Sequence, residues 1–260
     1  YTQCTNQNVN DLGLKVFQSI KTIKGDKVHL SEIENLDIKP IEHSIFDELL
    51  KKYVALNGNV NYNGFIEDSV LLNQYLQLLS NHPAQKSWSQ NEQLAYWINA
   101  YNAFTIKLIL ENYPLQSIKD IAGNITMVNS PWDIKFFKIG GVSFDLNTIE
   151  HEILRKDFNE PRIHFAINCA SVSCPKLRNE AYIAAKLDEQ LHDQTVAFLN
   201  SDGKNEITAT QLKLSKIFSW FESDFNKNQT IVEFLQPYTK VKIKANAKIS
   251  YLAYDWNLNE

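Results

Sequence analysis

Two cysteines and a histidine stand close together in the segment 162–175, and they are the residues of this sequence best suited to chemistry. His164 falls in an apolar run, and Cys169 and Cys174 lie in the short polar loop that follows, which Pro175 closes. A thiolate is a strong nucleophile once a base takes its proton and a third group orients that base. The segment therefore indicates either a nucleophilic cysteine or a small disulfide loop.

The partners of such a nucleophile are sought among histidine, carboxyl and amide side chains. We interpret Cys169 as the nucleophile, because it stands at the end of the apolar run, and either His151 or His164 as the general base. Glu92 is the candidate carboxylate that orients this base. The candidates for a substrate-binding or orienting role are Asn99, Asn102, Asn168 and Cys174, and Cys174 is also the candidate redox partner of Cys169. This set predicts a cysteine-dependent hydrolase or acyl transferase that acts on an amide or ester bond.

Two alternatives remain open for the same residues. A disulfide bond between Cys169 and Cys174 would pin the loop and leave His164 and Glu92 in a structural network, which describes a non-catalytic binding or scaffold domain. A metal site formed by the cysteines and histidines is the second alternative. Four residues separate the cysteines, however, which is wider than the spacing of a common zinc knuckle.

Composition excludes several classes of protein. The chain has 260 residues, of which 44% are hydrophobic and 22% charged, as is ordinary for a globular protein. Its net charge of −4 provides no basic surface, so we predict no nucleic-acid partner. With 8 glycines it also lacks a phosphate loop or dinucleotide fingerprint. The leading hypothesis thus needs no cofactor and no metal, and its substrate is a small molecule or peptide-like.

A long central helix is the first element expected to position these residues. The pattern from 89 to 112 is apolar on almost every face, begins at a capping box formed by Ser89 and Glu92, and stops before Pro114. The Glu92 side chain could have no role beyond this cap. Asn99 and Asn102 are polar exceptions that must either hydrogen-bond to backbone or line a polar cleft. Other helices are predicted near 12–20, 44–54, 69–79, 149–155, 182–200 and 216–225.

Strands are predicted mainly in the second half of the chain. They comprise a hairpin around Gly140-Gly141, a strand at 162–167 that carries His164, a strand at 206–214 and a late strand within 240–250. Helices followed by mostly antiparallel strands favour the α+β class. We predict a loose segment 1–9 and a single domain 10–260, with a helical N-terminal half and a small, mostly antiparallel sheet in the C-terminal half.

Four blocks of the sequence together resemble the family catalogued as domain of unknown function 547 (DUF547). They read EQLAYWINAYNA at 92–103, IEHEILR at 149–155, PRIHFAINCASVSCP at 161–175 and YDW at 254–256. The likeness is clearest over 60–260, and Lys176 departs from it where a second proline is frequent. The family's block residues correspond to Glu92, Asn99, Asn102, His151, His164, Cys169 and Cys174. The resemblance implies a shared site but assigns no reaction.

The location of the protein is predicted from weaker signals. No apolar run approaches the roughly 20 residues of a membrane span, so no transmembrane segment is expected. Bacterial relatives in the resembled family are often predicted to be exported, which implies a periplasmic, secreted or lipid-anchored protein here and leaves a cytoplasmic one open. Cys4 could be a lipid-anchor cysteine, although Tyr-Thr-Gln fits poorly before it. The oligomeric state stays open.

Overall fold

The computed structural model of the chain describes residues 39–124 and 130–260. The predicted loose segment 1–9, Cys4 and the helix near 12–20 lie outside the described residues, as does the predicted start of the domain at residue 10. Residues 40–260 form one compact unit. Within the described residues, no helix combines the length and the apolar character that crossing a membrane requires.

The first half of the described chain is helical, as predicted. Its helices are α1 (Ser44–Tyr53), α2 (Tyr62–Glu67), α3 (Ser69–Asn81) and α4 (Gln90–Asn112). Helix α1 buries Phe46, Leu49 and Leu50 on one face, while Lys51 and Lys52 stay exposed on the other. This amphipathic pattern is the reason that the element forms on the core rather than in isolation.

Helix α4 is the buried centre of the fold. Ser89 and Glu92 form the predicted capping box, in which the Glu92 carboxylate accepts the Ser89 backbone N–H at 2.7 Å. Most of the helix is apolar and buried on all sides, and the major core cluster surrounds it. The predicted central helix is confirmed.

Short elements make up the second half of the described chain. A π-helix, Thr148–Leu154, continues directly into α5 (Arg155–Asp157), and α6 is Ile163–Ala166. The remaining helices are α7 (Leu187–Leu199), α8 (Ile217–Trp220), α9 (Glu222–Phe225) and α10 (Ile231–Leu235). Short 3₁₀ helices occur at Ile118–Asn124, Pro131–Asp133, Ala184–Lys186 and Gln236–Tyr238.

The described strands form two small sheets. Strands β1 (Phe137–Ile139) and β2 (Val142–Phe144) make the predicted antiparallel hairpin around Gly140-Gly141. In the other sheet β3 (Glu206–Ile207) pairs antiparallel with β4 (Gln211–Leu214), and β4 pairs parallel with β5 (Lys248–Tyr251). The α+β class with a small, mostly antiparallel set of strands is therefore confirmed.

The strand predicted at 162–167 is wrong, because its centre is the helical turn α6 and only Ile167 returns to an extended conformation. Ile163, His164, Phe165 and Ala166 are all buried. A short apolar run buried on every side lacks the alternation that separates a strand from a helix. The strand predicted at 206–214 is also divided into β3 and β4, and the late strand is limited to β5.

Helix α6 lies between two hydrophobic cores. Ile163 and Ala166 belong to the cluster around α4, whereas Phe165 packs in a second cluster with Phe198 and Phe218. The ring centroids of Phe165 and Phe198 are 5.1 Å apart. Because both cores hold it, α6 is a rigid support for His164 and for the loop that carries the cysteines.

Candidate active site

A cavity of about 170 Å³ opens beside α6 and the loop that follows it. Four of the eight side chains that the sequence analysis selected line this cavity, and they are His151, His164, Cys169 and Cys174. The π-helix, α6 and the cysteine loop thus bring together the two histidines and the two cysteines.

The Cys169 thiol lies in a group of hydrogen-bond donors. Its Sγ is 3.2 Å from Ser171 Oγ and 3.2 Å from Tyr254 Oη. The pKa of Cys169 is lowered to about 7, first by a hydrogen bond from the Cys174 thiol and then by those from Ser171 and Tyr254, although burial opposes the shift. Donors that stabilise a thiolate in this way are typical of reactive cysteines.

The pKa of Cys174 is shifted in the opposite direction to that of Cys169. Its side chain is buried, and its Sγ accepts the backbone N–H of Cys169 at 3.0 Å. Burial and the nearby Cys169 raise the pKa of Cys174 well above its ordinary value. Both residues are free thiols, so the disulfide bond considered as an alternative is not formed in this structure. Of the pair, Cys169 has the properties of a nucleophile.

Two of the predicted amides hold the backbone of the cysteine loop. Asn102 of α4 donates to the carbonyl of Ala166 at 3.0 Å and accepts the N–H of Asn168 at 2.8 Å. The Asn168 side chain donates to the carbonyl of Pro175 at 2.7 Å and accepts the N–H of Ala170 at 2.9 Å. These buried amides therefore fix the start and the end of the loop to the central helix.

Ala170 adopts a left-handed backbone conformation, with φ +57°, immediately after Cys169. A non-glycine residue in this region costs about 1 kcal/mol or more and persists only where its surroundings impose it. The hydrogen bond of its N–H to Asn168 imposes it here. This turn places the Ser171 hydroxyl beside the Cys169 sulfur.

Asn99 and Glu92 lie away from the cysteine loop. Asn99 makes two hydrogen bonds with the backbone of Tyr182, at 2.7 and 2.9 Å, and so anchors the segment before α7. Glu92 is engaged in the capping box and is not part of the cavity lining. Neither side chain is brought together with Cys169.

His164 is held between an aromatic ring and a carboxylate. Its ring stacks on Phe221 with centroids 4.0 Å apart, and its Nε2 lies 2.8 Å from Asp224 Oδ2. Because a carboxylate accepts hydrogen bonds, the neutral ring carries its proton on Nε2 and leaves a lone pair on Nδ1. Nδ1 is buried and has no hydrogen-bond partner among the described residues. This tautomer is the one that a general base requires.

Asp224 also binds Arg155 through two hydrogen bonds. Arg155 Nε donates to Oδ2 at 2.6 Å and Nη2 donates to Oδ1 at 3.0 Å. Although burial opposes it, the bonds from His164 and Arg155 hold the pKa of Asp224 well below its usual range. Asp224 is thus ionised across the neutral range and orients His164, as the third member of a catalytic triad does.

His151 is less suited to act as a base. Arg155 Nη1 lies 2.8 Å from its Nδ1, and because a guanidinium can only donate, Nδ1 accepts. A neutral His151 therefore carries its proton on Nε2 and has no free lone pair. Burial and Arg155 lower the pKa of His151, while burial is the leading cause of the lowered pKa of His164.

Glu150 is a buried carboxyl in the cavity wall. It is 8% exposed, and Tyr101 of α4 donates to its Oε2 at 3.2 Å. Burial raises the pKa of Glu150 to about 7, against the opposing effect of the Tyr101 hydrogen bond. Glu150 and His151 both line the cavity although they are adjacent in sequence, and both lie on the π-helix. Such wide turns occur frequently at functional sites.

Aromatic rings form the mouth of the cavity. Trp220 stacks near Trp256 with centroids 5.7 Å apart, and Tyr254 lies 4.8 Å from Trp220 and 4.5 Å from Trp256. Trp132 contacts Trp256 edge-on at 5.7 Å. Trp220 is 46% exposed, so a flat or apolar part of a ligand could stack there.

The metal-site alternative finds no support in the geometry. Within residues 39–124 and 130–260, no group of three or more His, Cys, Asp or Glu side chains is arranged so that it could hold a metal ion. His164 and His151 are instead engaged with Asp224 and Arg155.

Several residues of the site were not selected from the sequence, among them Glu150, Tyr254 and Asp224. Glu150 and Tyr254 lie inside the blocks that carry the family resemblance, so their position in those blocks was an available signal. Asp224 lies in a short helix with no motif around it, and only the folded chain places it against His164. Its role could not have been found from spacing.

Comparison with known proteins gives one family. Residues 85–199 match the family model described as "Protein of unknown function, DUF547". The matched segment contains Glu150, His164 and Cys169, whereas Asp224 and Tyr254 lie beyond its end. Neither the comparison with curated proteins nor that with solved structures found a match. The match therefore supports the resemblance and leaves the reaction to be argued from the site.

Proposed function

We propose that this chain, whose residues 85–199 match the DUF547 family model, is a cysteine-dependent hydrolase or acyl transferase that acts on an amide or ester bond. The observation that carries the proposal is the placement of His164. Its Nε2 is bound to Asp224, its Nδ1 is left without a partner, and its ring lines the cavity that also contains Cys169. Nucleophile, base and orienting carboxylate are the parts of covalent acyl catalysis.

The division of roles follows from the hydrogen bonds. Because hydrogen bonds from Cys174, Ser171 and Tyr254 lower the pKa of Cys169, this residue reaches the thiolate form without a histidine beside it. The thiolate attacks the carbonyl carbon, a carbon–sulfur bond forms, and the leaving group departs with a proton. His164 Nδ1 then takes a proton from water, and the hydroxide attacks the thioester and releases the thiolate. With an acceptor alcohol or amine in place of water, the same steps transfer the acyl group.

Trapping the covalent intermediate is the direct test of this proposal. With p-nitrophenyl acetate as the probe, we expect one acetyl group on the protein by intact-mass spectrometry and a burst of p-nitrophenolate of equal amount. Peptide mapping should place the acetyl group on Cys169, and neither on Cys174 nor on Cys4. Acetylation confined to lysines, without a burst, would contradict the proposal.

The pH dependence of alkylation is a second expected result. Because the pKa of Cys169 is lowered to about 7, its thiolate fraction should rise around neutral pH and level off above it. At pH 7 iodoacetamide should modify Cys169 about tenfold faster than an ordinary exposed thiol, for which the pKa is about 8.5. Peptide mapping over a pH series measures each cysteine separately.

The variant Cys174→Ala provides the matched control for this measurement. It removes the thiol whose hydrogen bond is the largest cause of the lowered pKa of Cys169. The midpoint of Cys169 alkylation should therefore move to higher pH in this variant. An unchanged midpoint would show that Cys174 does not stabilise the thiolate.

The aromatic mouth predicts an effect on substrate affinity. Trp220→Ala should raise KM for aryl esters such as p-nitrophenyl acetate about tenfold and leave kcat nearly unchanged, because an aromatic stacking contact of about 1 kcal/mol is lost together with its buried area. Val142→Ala, at another exposed apolar side chain on the β1–β2 hairpin, is the control. Steady-state kinetics of the two variants decides the point, and a fall in kcat alone would contradict it.

A further inference from the structure

The proposed acylation requires a proton donor for the leaving group. An amine or alkoxide leaves a tetrahedral intermediate readily only when it is protonated as its bond to carbon breaks. A Cys169 thiolate brings no proton into the reaction. A group in the cavity wall must therefore hold a proton at neutral pH while Cys169 is ionised.

The histidines and the arginine do not meet this requirement. The pKa values of His151 and His164 are lowered from 6.5, mainly by burial, so both rings are neutral at pH 7. The remaining proton of His164 is bound to Asp224. Arg155 is held by the same carboxylate and does not give up its proton in the neutral range.

We propose that the Glu150 carboxyl is the general acid that protonates the leaving group in the reaction proposed above. Its side chain lines the same cavity as Cys169 and is 8% exposed. Tyr101 donates to its Oε2, which fixes the carboxyl on the wall formed by α4 and the π-helix. A phenol that donates to one oxygen leaves the other free to carry the acidic proton.

The surroundings of Glu150 favour its protonated form. No basic side chain is bonded to it in the described hydrogen bonds, because the nearby Arg155 binds Asp224 and His151 instead. Burial and the negative charge of a Cys169 thiolate both raise the pKa of Glu150, whereas Tyr101 and Arg155 lower it. Ionisation of Cys169 therefore favours the protonated form of Glu150, as when two acids share one site.

The proton balance closes over one turnover. In acylation the carbon–sulfur bond forms, the bond to the leaving group breaks, and the Glu150 proton passes to that group. In deacylation His164 Nδ1 takes one proton from water, and the hydroxide replaces the thiolate on the acyl carbon. The proton on His164 then returns through solvent to the Glu150 carboxylate, so hydrolysis consumes one water and restores both groups.

Leaving groups of increasing basicity test this role in Glu150→Gln. The probes are p-nitrophenyl, phenyl and trifluoroethyl acetate, and the readout is the rate at which acetyl-Cys169 forms. A p-nitrophenolate departs without protonation, so the variant should react within about threefold of the wild type. The deficit should grow to about 100-fold for trifluoroethyl acetate, the size expected for general acid catalysis.

Two further variants separate catalysis from folding. Glu152→Gln alters an exposed carboxyl on the same π-helix and should leave all three rates unchanged. Tyr101→Phe keeps the carboxyl but removes its donor, so its deficit should also grow with leaving-group basicity, to about tenfold. Tyr101→Phe therefore tests the general-acid role of Glu150 even if Glu150→Gln does not fold.

The outcomes distinguish this role of Glu150 from the proposed function on which it rests. An equal loss for all three esters in Glu150→Gln, or no loss, overturns the general-acid role while acetyl-Cys169 still forms. If the wild type forms no acetyl-Cys169 with any ester, the cysteine mechanism itself fails, and the role of Glu150 fails with it.

Discussion

Replacing Cys169 with serine should lower turnover of p-nitrophenyl acetate by about 10⁴-fold or more, because an alcohol is not ionised under conditions in which this thiol is. The hydrogen bonds around the sulfur stabilise a thiolate, whereas a serine alkoxide would have to form against a far higher pKa. His164 is not hydrogen-bonded to this position, since its Nδ1 has no partner among the described residues. No base beside residue 169 is therefore available to take the proton of the serine hydroxyl.

The same substitution should leave the fold intact. A serine hydroxyl can keep the hydrogen bonds with Ser171 and Tyr254, which are 3.2 Å from the sulfur in the parent protein. We expect the free energy of unfolding to change by about 1 kcal/mol or less. Urea unfolding followed by tryptophan fluorescence measures this beside the rate of p-nitrophenolate release.

Cys174→Ser is the matched control for the nucleophile. Its hydroxyl can still accept the Cys169 N–H that the thiol accepts at 3.0 Å, and the nucleophile is untouched. Turnover should fall by about tenfold at most, because a thiol donor is replaced by a hydroxyl donor. If Cys174→Ser were the inactive variant and Cys169→Ser the active one, the assignment of the nucleophile would have to be exchanged.

The parts of the fold that could be predicted are those with long, regular patterns. The capping box and the apolar character of α4 were sufficient because a 23-residue helix repeats its signal many times. The hairpin at Gly140-Gly141 was predictable because both glycines have positive φ values, which few other residues tolerate. The segment of α6 offered neither length nor alternation, so its helical turn was interpreted as a strand.

The residues of the site could be predicted only where a chemically reactive side chain lies within a recognisable stretch of sequence. Cysteine and histidine side chains can be selected from sequence because they are chemically reactive. The four that were selected within the blocks of the family resemblance line one cavity. Glu92 was chosen as the orienting carboxylate because it lies on the central helix, yet its position at the first turn already engages it as a cap. The carboxylate that binds His164 is Asp224, which is 60 residues away in sequence.

The buried amides show why local interpretation is incomplete. Asn99, Asn102 and Asn168 could equally be interpreted as ligand-binding groups, since a buried amide must find partners of some kind. Their partners proved to be backbone groups of Tyr182, Ala166 and Pro175, which come close only when the whole chain has folded. Tertiary proximity therefore separates the scaffold of the loop from the groups that face the cavity.

Replacing Asp224 with asparagine should lower turnover by about 10⁴-fold, the size of effect seen when the orienting carboxylate of a triad is lost. An asparagine amide can donate to His164 Nε2, which now accepts, and the ring proton then moves to Nδ1. The nitrogen that takes the proton from water in deacylation is thereby blocked. Acetyl-Cys169 should still form from p-nitrophenyl acetate and should then persist, because only the second step needs His164.

Two measurements distinguish this positioning role of Asp224 from loss of structure. Asp224→Asn leaves Arg155 without its carboxylate partner, which should cost about 2 kcal/mol of unfolding free energy but leave the protein folded. Nitrogen NMR of the His164 ring should show the proton on Nε2 in the parent protein and on Nδ1 in the variant, a change that destabilisation alone does not produce. Glu222→Gln, at an exposed carboxyl on the same helix α9, should alter neither the tautomer nor the rate. If the acetyl group were released as fast in Asp224→Asn as in the parent protein, His164 would not be the base for the attacking water, and the Asp224–His164 pair would serve only to join α9 to α6.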